Sequence, residues 1–194
     1  MSILKTREKT VLSLIVFFVF VSAFVQAQQL SLVNSESELT VLGTSNIHDW
    51  HVEAENQKGS IKFKDLEACH IETMALEIEA EGLKSGKKAM DKNTYKALNT
   101  NDHKIISFQM VEIKSLTKKS PGVFDVSALG DLTISGVTKR IPLNFKINIV
   151  ASSVTLTGEK VIKMTDFNVD PPKALFGTIT TGDSLTIKFS TQFK

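Results

Sequence analysis

The residues best suited to chemistry lie close together in residues 41–52, which contain His48, Asp49, His51 and Trp50, the single tryptophan of the chain. Imidazole and carboxylate groups are common metal ligands. On a regular strand, however, His48 and His51 are three positions apart and project to opposite faces. They could share an ion only across a bulge, and no third ligand is nearby in sequence. The segment therefore predicts no metal site.

His48 and Trp50, by contrast, would share one face of the same strand. One interpretation is an apolar pocket with a single polar group in its wall. The other is a core tryptophan beside a buried, hydrogen-bonded histidine. The two residues by themselves leave both interpretations open.

Catalytic motifs of the common kinds are missing. The sequence has no Gly-x-Ser-x-Gly element and no glycine-rich phosphate loop that opens a helix. Asp166 and Asp170 precede Pro171 and Pro172, a composition typical of turns and not of a catalytic carboxylate pair. We therefore expect no catalytic residue, no cofactor and no enzymatic activity.

Cys69 is the only cysteine, so an internal disulfide is excluded. Its thiol could serve in redox chemistry or in dimerisation, and the neighbouring His70 adds to that interest. The alternative is a small buried side chain near the end of a strand.

The elements that must position these residues are mainly strands. Residues 130–150 read as two strands joined by a turn at Ser135 and Gly136, which predicts an antiparallel hairpin. The second strand alternates apolar and polar residues with a period of two, as expected for one dry and one wet face. Its apolar positions are Ile141, Leu143, Phe145, Ile147 and Ile149.

Similar patterns recur along the rest of the chain. Extended segments are predicted around residues 39–52, 61–64, 74–81, 105–116, 123–129, 154–164 and 185–193, which with the hairpin makes roughly eight strands. Residues 86–100 are the exception, because they contain good helix formers and few β-branched residues. This helix either bridges two strands at the surface or forms a lid over one end of a barrel.

Residues 1–27 have a basic start, an apolar run and small residues before Gln28, which predicts a cleaved secretory signal peptide. An uncleaved membrane anchor is the alternative.

Three of the 23 basic residues and one of the 21 acidic residues fall in residues 1–27, so residues 28–194 carry 20 basic and 20 acidic residues. A neutral chain argues against nucleic acid as a partner. We expect one domain over residues 28–194, periplasmic or secreted, without stable membrane insertion after cleavage.

Six groups of residues, in this order, resemble motifs of the YceI-like family, exported lipocalin-like barrels that bind polyisoprenoid lipids. They are Gly43-Thr44-Ser45 with His48-Asp49-Trp50; Met90-Asp91 with Tyr95 and Leu98; His103 with Ile106 and Phe108; residues 130–138; Thr165-Asp166-Phe167 with Pro171-Pro172 and Gly177; and Gly182-Asp183 with Leu185, Ile187 and Phe189.

This resemblance implies an all-β fold, an extended eight-stranded antiparallel barrel with a short helix between strands, which agrees with the strand count. It implies that the interior holds a long isoprenoid chain. We expect this to be a quinone or polyprenyl chain, with His48 and Tyr95 as the polar groups near the mouth. The expected ligand-binding residues are His48, Trp50, Met90, Tyr95, Leu98, Phe108, Leu132, Ile134, Phe145, Phe167, Phe176 and Phe189. A ligand-free structural or protein-interaction module of the envelope is the alternative function, and a homodimer is left open.

Overall fold

The computed structural model describes residues 28–194, and the predicted signal peptide lies outside the described residues. Nearly all of its regular structure is antiparallel β-sheet. The strands are β1 (Gln28–Ser31), β2 (Glu38–Gly43), β3 (Trp50–Ala54), β4 (Gln57–Asp65), β5 (His70–Glu79), β6 (Leu83–Lys84), β7 (Ile105–Ser120), β8 (Val123–Ile134), β9 (Val137–Val150), β10 (Ser153–Lys163), β11 (Lys173–Ala174), β12 (Ile179–Thr180) and β13 (Ser184–Phe193), with one α-helix, α1 (Lys88–Leu98), between β6 and β7.

Eleven strands form one curled sheet in the order β1-β4-β5-β7-β8-β9-β10-β13-β2-β3-β6. The sheet closes on itself because β1 reaches the end of β13. Ser31 and Lys194 exchange backbone hydrogen bonds of 2.8 and 3.0 Å, and Leu32 pairs with Phe193. The expected antiparallel barrel is therefore confirmed.

The number of strands differs from the eight expected. Around the closed end, β1, β4, β5, β7, β8, β9, β10 and β13 make a ring of eight. The additional strands are β2, β3 and β6, which extend the sheet beside the other half of β13. Residues 39–52 are not one extended segment either, because residues 44–49 form a loop that lets β2 and β3 pair as a hairpin.

The hairpin predicted for residues 130–150 is present, as β8 and the long strand β9. Ser135 and Gly136 both adopt positive φ angles, of 49° and 76°, as a two-residue turn of this kind requires. Burial alternates along both strands, and Phe145 is only 5% exposed, so its predicted inward direction is confirmed.

The interior of the barrel has two different halves. Near the turns that join β7 to β8 and β9 to β10, side chains fill the interior, and several of them have no exposed surface: Ile61, Phe63, Ile147 and Val154. The other half lies under α1 and the loops that precede β3 and β13, and a cavity occupies it. This division determines where a ligand could be placed.

Cys69 lies in the packed core and is 1% exposed, which supports its interpretation as a buried side chain. Burial raises the pKa of its thiol from 9.0 to about 12. Because the folded-state pKa is the higher one, the thiol's contribution to stability is present below pH 9 and is lost as the pH rises through about 12.

We therefore expect the Cys69 thiol of the native protein to react with a disulfide reagent at pH 8 at least tenfold more slowly than in guanidinium, because the thiolate is the nucleophile and the site is closed. A time course of thiol release, with Cys69→Ser as the blank, measures this. Equal rates in the native and unfolded protein would contradict the buried position.

Candidate functional site

The candidate site is an internal cavity of about 450 Å³ in the half of the barrel that side chains leave unfilled. Pockets for small ligands are typically about 300–1,000 Å³ and mostly apolar. Its wall consists mainly of inward-facing positions of β2, β3, β5, β7, β8, β9, β10 and β13. Aliphatic and aromatic residues predominate, among them Leu39, Val41, Leu76, Ile78, Ile106, Phe108, Leu132, Ile141, Leu143, Phe145, Ile162, Leu185, Ile187 and Phe189.

Helix α1 closes one end of the cavity. Met90, Thr94, Ala97 and Leu98 line it, at the spacing of one helix face. No residue of the helix is fully buried, so this face borders empty space instead of a filled core. Of the two alternatives for this helix, the structure favours the lid.

Tyr95 holds α1 to the rest of the barrel from outside the cavity. Its hydroxyl donates to the backbone oxygens of Glu81 and Leu83, at 2.9 and 3.2 Å, and accepts a 2.6 Å hydrogen bond from Lys84 Nζ. That hydrogen bond to Tyr95 raises the pKa of Lys84. Tyr95 is thus a support for the helix and not part of the cavity wall.

Two loop segments form the mouth next to α1. Asn46, in the loop between β2 and β3, donates to the backbone oxygen of Thr178 and accepts from the amide of Thr180, both at 2.9 Å. These bonds join the loop to the small sheet of β11 and β12. Nearby, hydrogen bonds from the amide and hydroxyl of Thr165 lower the pKa of Asp183 and fix the start of β13.

Trp50 is held rigidly in the wall near this mouth. Its indole N–H donates to the backbone oxygen of Thr44 at 2.9 Å. Its ring lies flat on Gly43, its cross-strand neighbour, where any Cβ atom would overlap the ring. A glycine opposite an aromatic residue gives the ring this surface to cover.

The polar side chains of the wall are few, and those with a full charge at neutral pH are all lysines. Among the described residues, Lys87, Lys160 and Lys173 line the cavity, and no aspartate or glutamate does. His48 lies in the mouth loop before β3 and is exposed. Because it is outside the strand, it does not alternate with Trp50 as the sequence pattern suggested.

Ten of the twelve residues expected at a ligand site line the cavity: His48, Trp50, Met90, Leu98, Phe108, Leu132, Ile134, Phe145, Phe167 and Phe189. Tyr95 supports α1 instead, and the side chain of Phe176 is fully exposed in the turn between β11 and β12. Location alone does not test binding, so the role of each residue stays a prediction.

Several wall residues were missed by the sequence prediction. Leu185 and Ile187 lie on the recognised apolar face of the last strand and could have been included. Ile162 and Lys160 lie on β10, a strand whose pattern is interrupted at Gly158. The alternation of inward and outward positions that begins at Val154 and Leu156 continues past Gly158, and it places Lys160 and Ile162 on the inner face.

Residues 28–194 contain neither a metal-binding cluster nor a helix suited to cross a membrane. No group of three or more His, Cys, Asp or Glu side chains is arranged to hold a metal ion in this part of the chain. Within the same range, no helix has the length and apolar character needed to cross a membrane.

Comparison with known proteins places this fold in a recognised group. A family model described as YceI-like domain matches residues 26–193. No curated protein sequence matches the chain. Similar solved structures include BcnA of Burkholderia cenocepacia, with a TM-score of 0.67 and 16% identity over 83% of this chain and 98% of that one.

Two further structures share the fold. A polyisoprenoid binding domain from Saccharophagus degradans, implicated in plant cell wall breakdown, has a TM-score of 0.65 and 12% identity over 85% of this chain and 97% of its own. The Campylobacter jejuni YceI protein has a TM-score of 0.56 and 18% identity over 71% and 80% of the two chains. Identities this low establish the fold and nothing finer.

Proposed function

Because the chain belongs to the YceI-like domain family, we propose that it is an isoprenoid-binding protein, which holds a quinone or polyprenyl chain in the barrel cavity. The observation that carries this proposal is the apolar cavity of about 450 Å³, which the barrel wall lines and α1 caps at one end. Each CH₂ group moved from water into such a site contributes about 0.8 kcal/mol, so a long hydrocarbon needs few polar contacts.

Two further points support this function. A structure with the same fold is named as a polyisoprenoid binding domain. The predicted signal peptide would deliver the protein to the periplasm or the medium, where an apolar lipid needs a carrier. The proposal includes no catalytic step and no cofactor, because the isoprenoid is cargo.

Organic extraction of the protein purified from its native envelope, followed by mass spectrometry, tests the proposal. We expect an isoprenoid at about one molecule per protein. Ile187→Asn places an amide in the wall and should remove most of the lipid, since an unpaired polar group in an apolar site is costly.

Val161→Asn is the matched control, because Val161 is 58% exposed on the outer face of the neighbouring strand. It should retain the lipid. A native protein that folds but yields no lipid would contradict isoprenoid binding and would favour the ligand-free envelope module.

A further inference from the structure

Lys160 occupies an unusual place for a charged residue, within the inner face of β10. Along this strand, Leu156 and Ile162 are buried and face inward, and Lys160 shares their side of the sheet. Its cross-strand neighbour on β13 is Ile187, which also lines the cavity. The lysine therefore contributes to a wall that is otherwise apolar at this level.

The structure provides no partner for this charge. Among the described residues, the side-chain ammonium of Lys160 makes neither a hydrogen bond nor an ion pair, although lysines elsewhere pair with Glu72, Glu112 and Asp125 at the surface. The adjacent Glu159 is exposed on the outer face of the barrel. A cation kept near apolar walls without a partner is unfavourable unless something complements it.

The cavity wall is positively charged although residues 28–194 as a whole have balanced charges. Residues 28–194 carry 20 basic and 20 acidic residues, yet the described wall contains three lysines and no carboxylate. Lys87 precedes α1 and Lys173 lies in β11, whereas Lys160 is part of the barrel itself. The cavity thus combines a long apolar surface with positive charge alone.

From these observations we infer that the ligand is an apolar chain ending in an anionic group, a carboxylate or a phosphate, which Lys160 binds. The inference rests on the proposed lipid-binding function and specifies the class of the headgroup. Hydrogen bonds between charged groups contribute more than neutral ones, and a single such contact in a partly screened site corresponds to about tenfold in affinity.

Two pairs of probes that differ in the headgroup test this inference: geranylgeranyl monophosphate against geranylgeraniol, and palmitate against hexadecanol. Titration calorimetry at pH 8, where both acids are ionised, gives the four dissociation constants. We expect at least one acid to bind about tenfold more tightly than its alcohol. The pair with the larger ratio distinguishes a phosphate from a carboxylate.

Three variants assign the preference to one side chain. Lys160→Met keeps an unbranched chain in the wall, so the protein should fold, bind the alcohols as before and lose the preference for the acid. Lys160→Arg should retain it. Lys188→Met removes the same charge from the exposed outer face of β13, where Lys188 directly follows the wall residue Ile187, and should also retain the preference.

The outcomes separate this inference from the proposed function. Equal binding of acid and alcohol by the native protein, an unchanged ratio in Lys160→Met, or the same loss in Lys188→Met would overturn the role of Lys160 while isoprenoid binding stands. Binding of palmitate alone, dependent on Lys160, would support the inference and contradict the isoprenoid. Failure of all four probes to bind would overturn both.

Discussion

Phe145→Ala should destabilise the ligand-free protein by about 2–3 kcal/mol and should largely abolish the stabilisation that a bound isoprenoid provides. The ring is 5% exposed and borders the cavity. On the cavity side the ring makes no contacts with protein atoms in the ligand-free protein. Its removal therefore costs no more unfolding free energy than the smallest losses seen for Phe→Ala in a packed core. With ligand present, the missing ring also removes direct contacts.

Phe63→Ala is the matched comparison. Phe63 has no exposed surface and lies in the packed half of the barrel, away from the cavity. Its truncation should cost about 3–5 kcal/mol, and the cost should not depend on ligand.

Urea titrations with and without geranylgeraniol measure both variants, because a ligand that binds only the folded state adds to the free energy of unfolding. If the cost of Phe145→Ala is the same with and without the probe, Phe145 acts only as packed core. A cost below about 0.5 kcal/mol in both states would contradict its inward position.

Gly43→Val should displace the Trp50 ring from the cavity wall, shift its fluorescence to longer wavelength and remove its response to ligand. Any Cβ atom at Gly43 overlaps the ring, and the indole hydrogen bond to Thr44 leaves the ring no nearby alternative. Overpacking of this kind costs about 1–3 kcal/mol, so the barrel should still fold.

Titration with decylubiquinone, followed by tryptophan fluorescence, provides the measurement. Trp50 is the only indole, so the signal reports one site. The native protein should be quenched, and so should Leu42→Val, which changes the adjacent residue of the same strand and not the wall. Quenching of Gly43→Val to the native extent would show that the position of Trp50 does not matter.

The sequence by itself determined which face of most strands points inward. A period of two is a local property, since consecutive side chains of a strand must point to opposite sides. It therefore predicted the inward position of Phe145 and the apolar face of the last strand without any tertiary information. Composition and the order of the motifs were likewise sufficient for the fold class.

Only the tertiary structure decided which inward residues fill the barrel and which surround a cavity. Phe63 and Phe145 both lie on the apolar face of an alternating strand, yet Phe63 is packed in the core and Phe145 borders the cavity. Whether opposing side chains meet inside the barrel depends on the curvature and stagger of the closed sheet. The same holds for Tyr95, whose hydroxyl meets Lys84 outside the cavity. Such contacts join residues distant in sequence, and local periodicity carries no information about them.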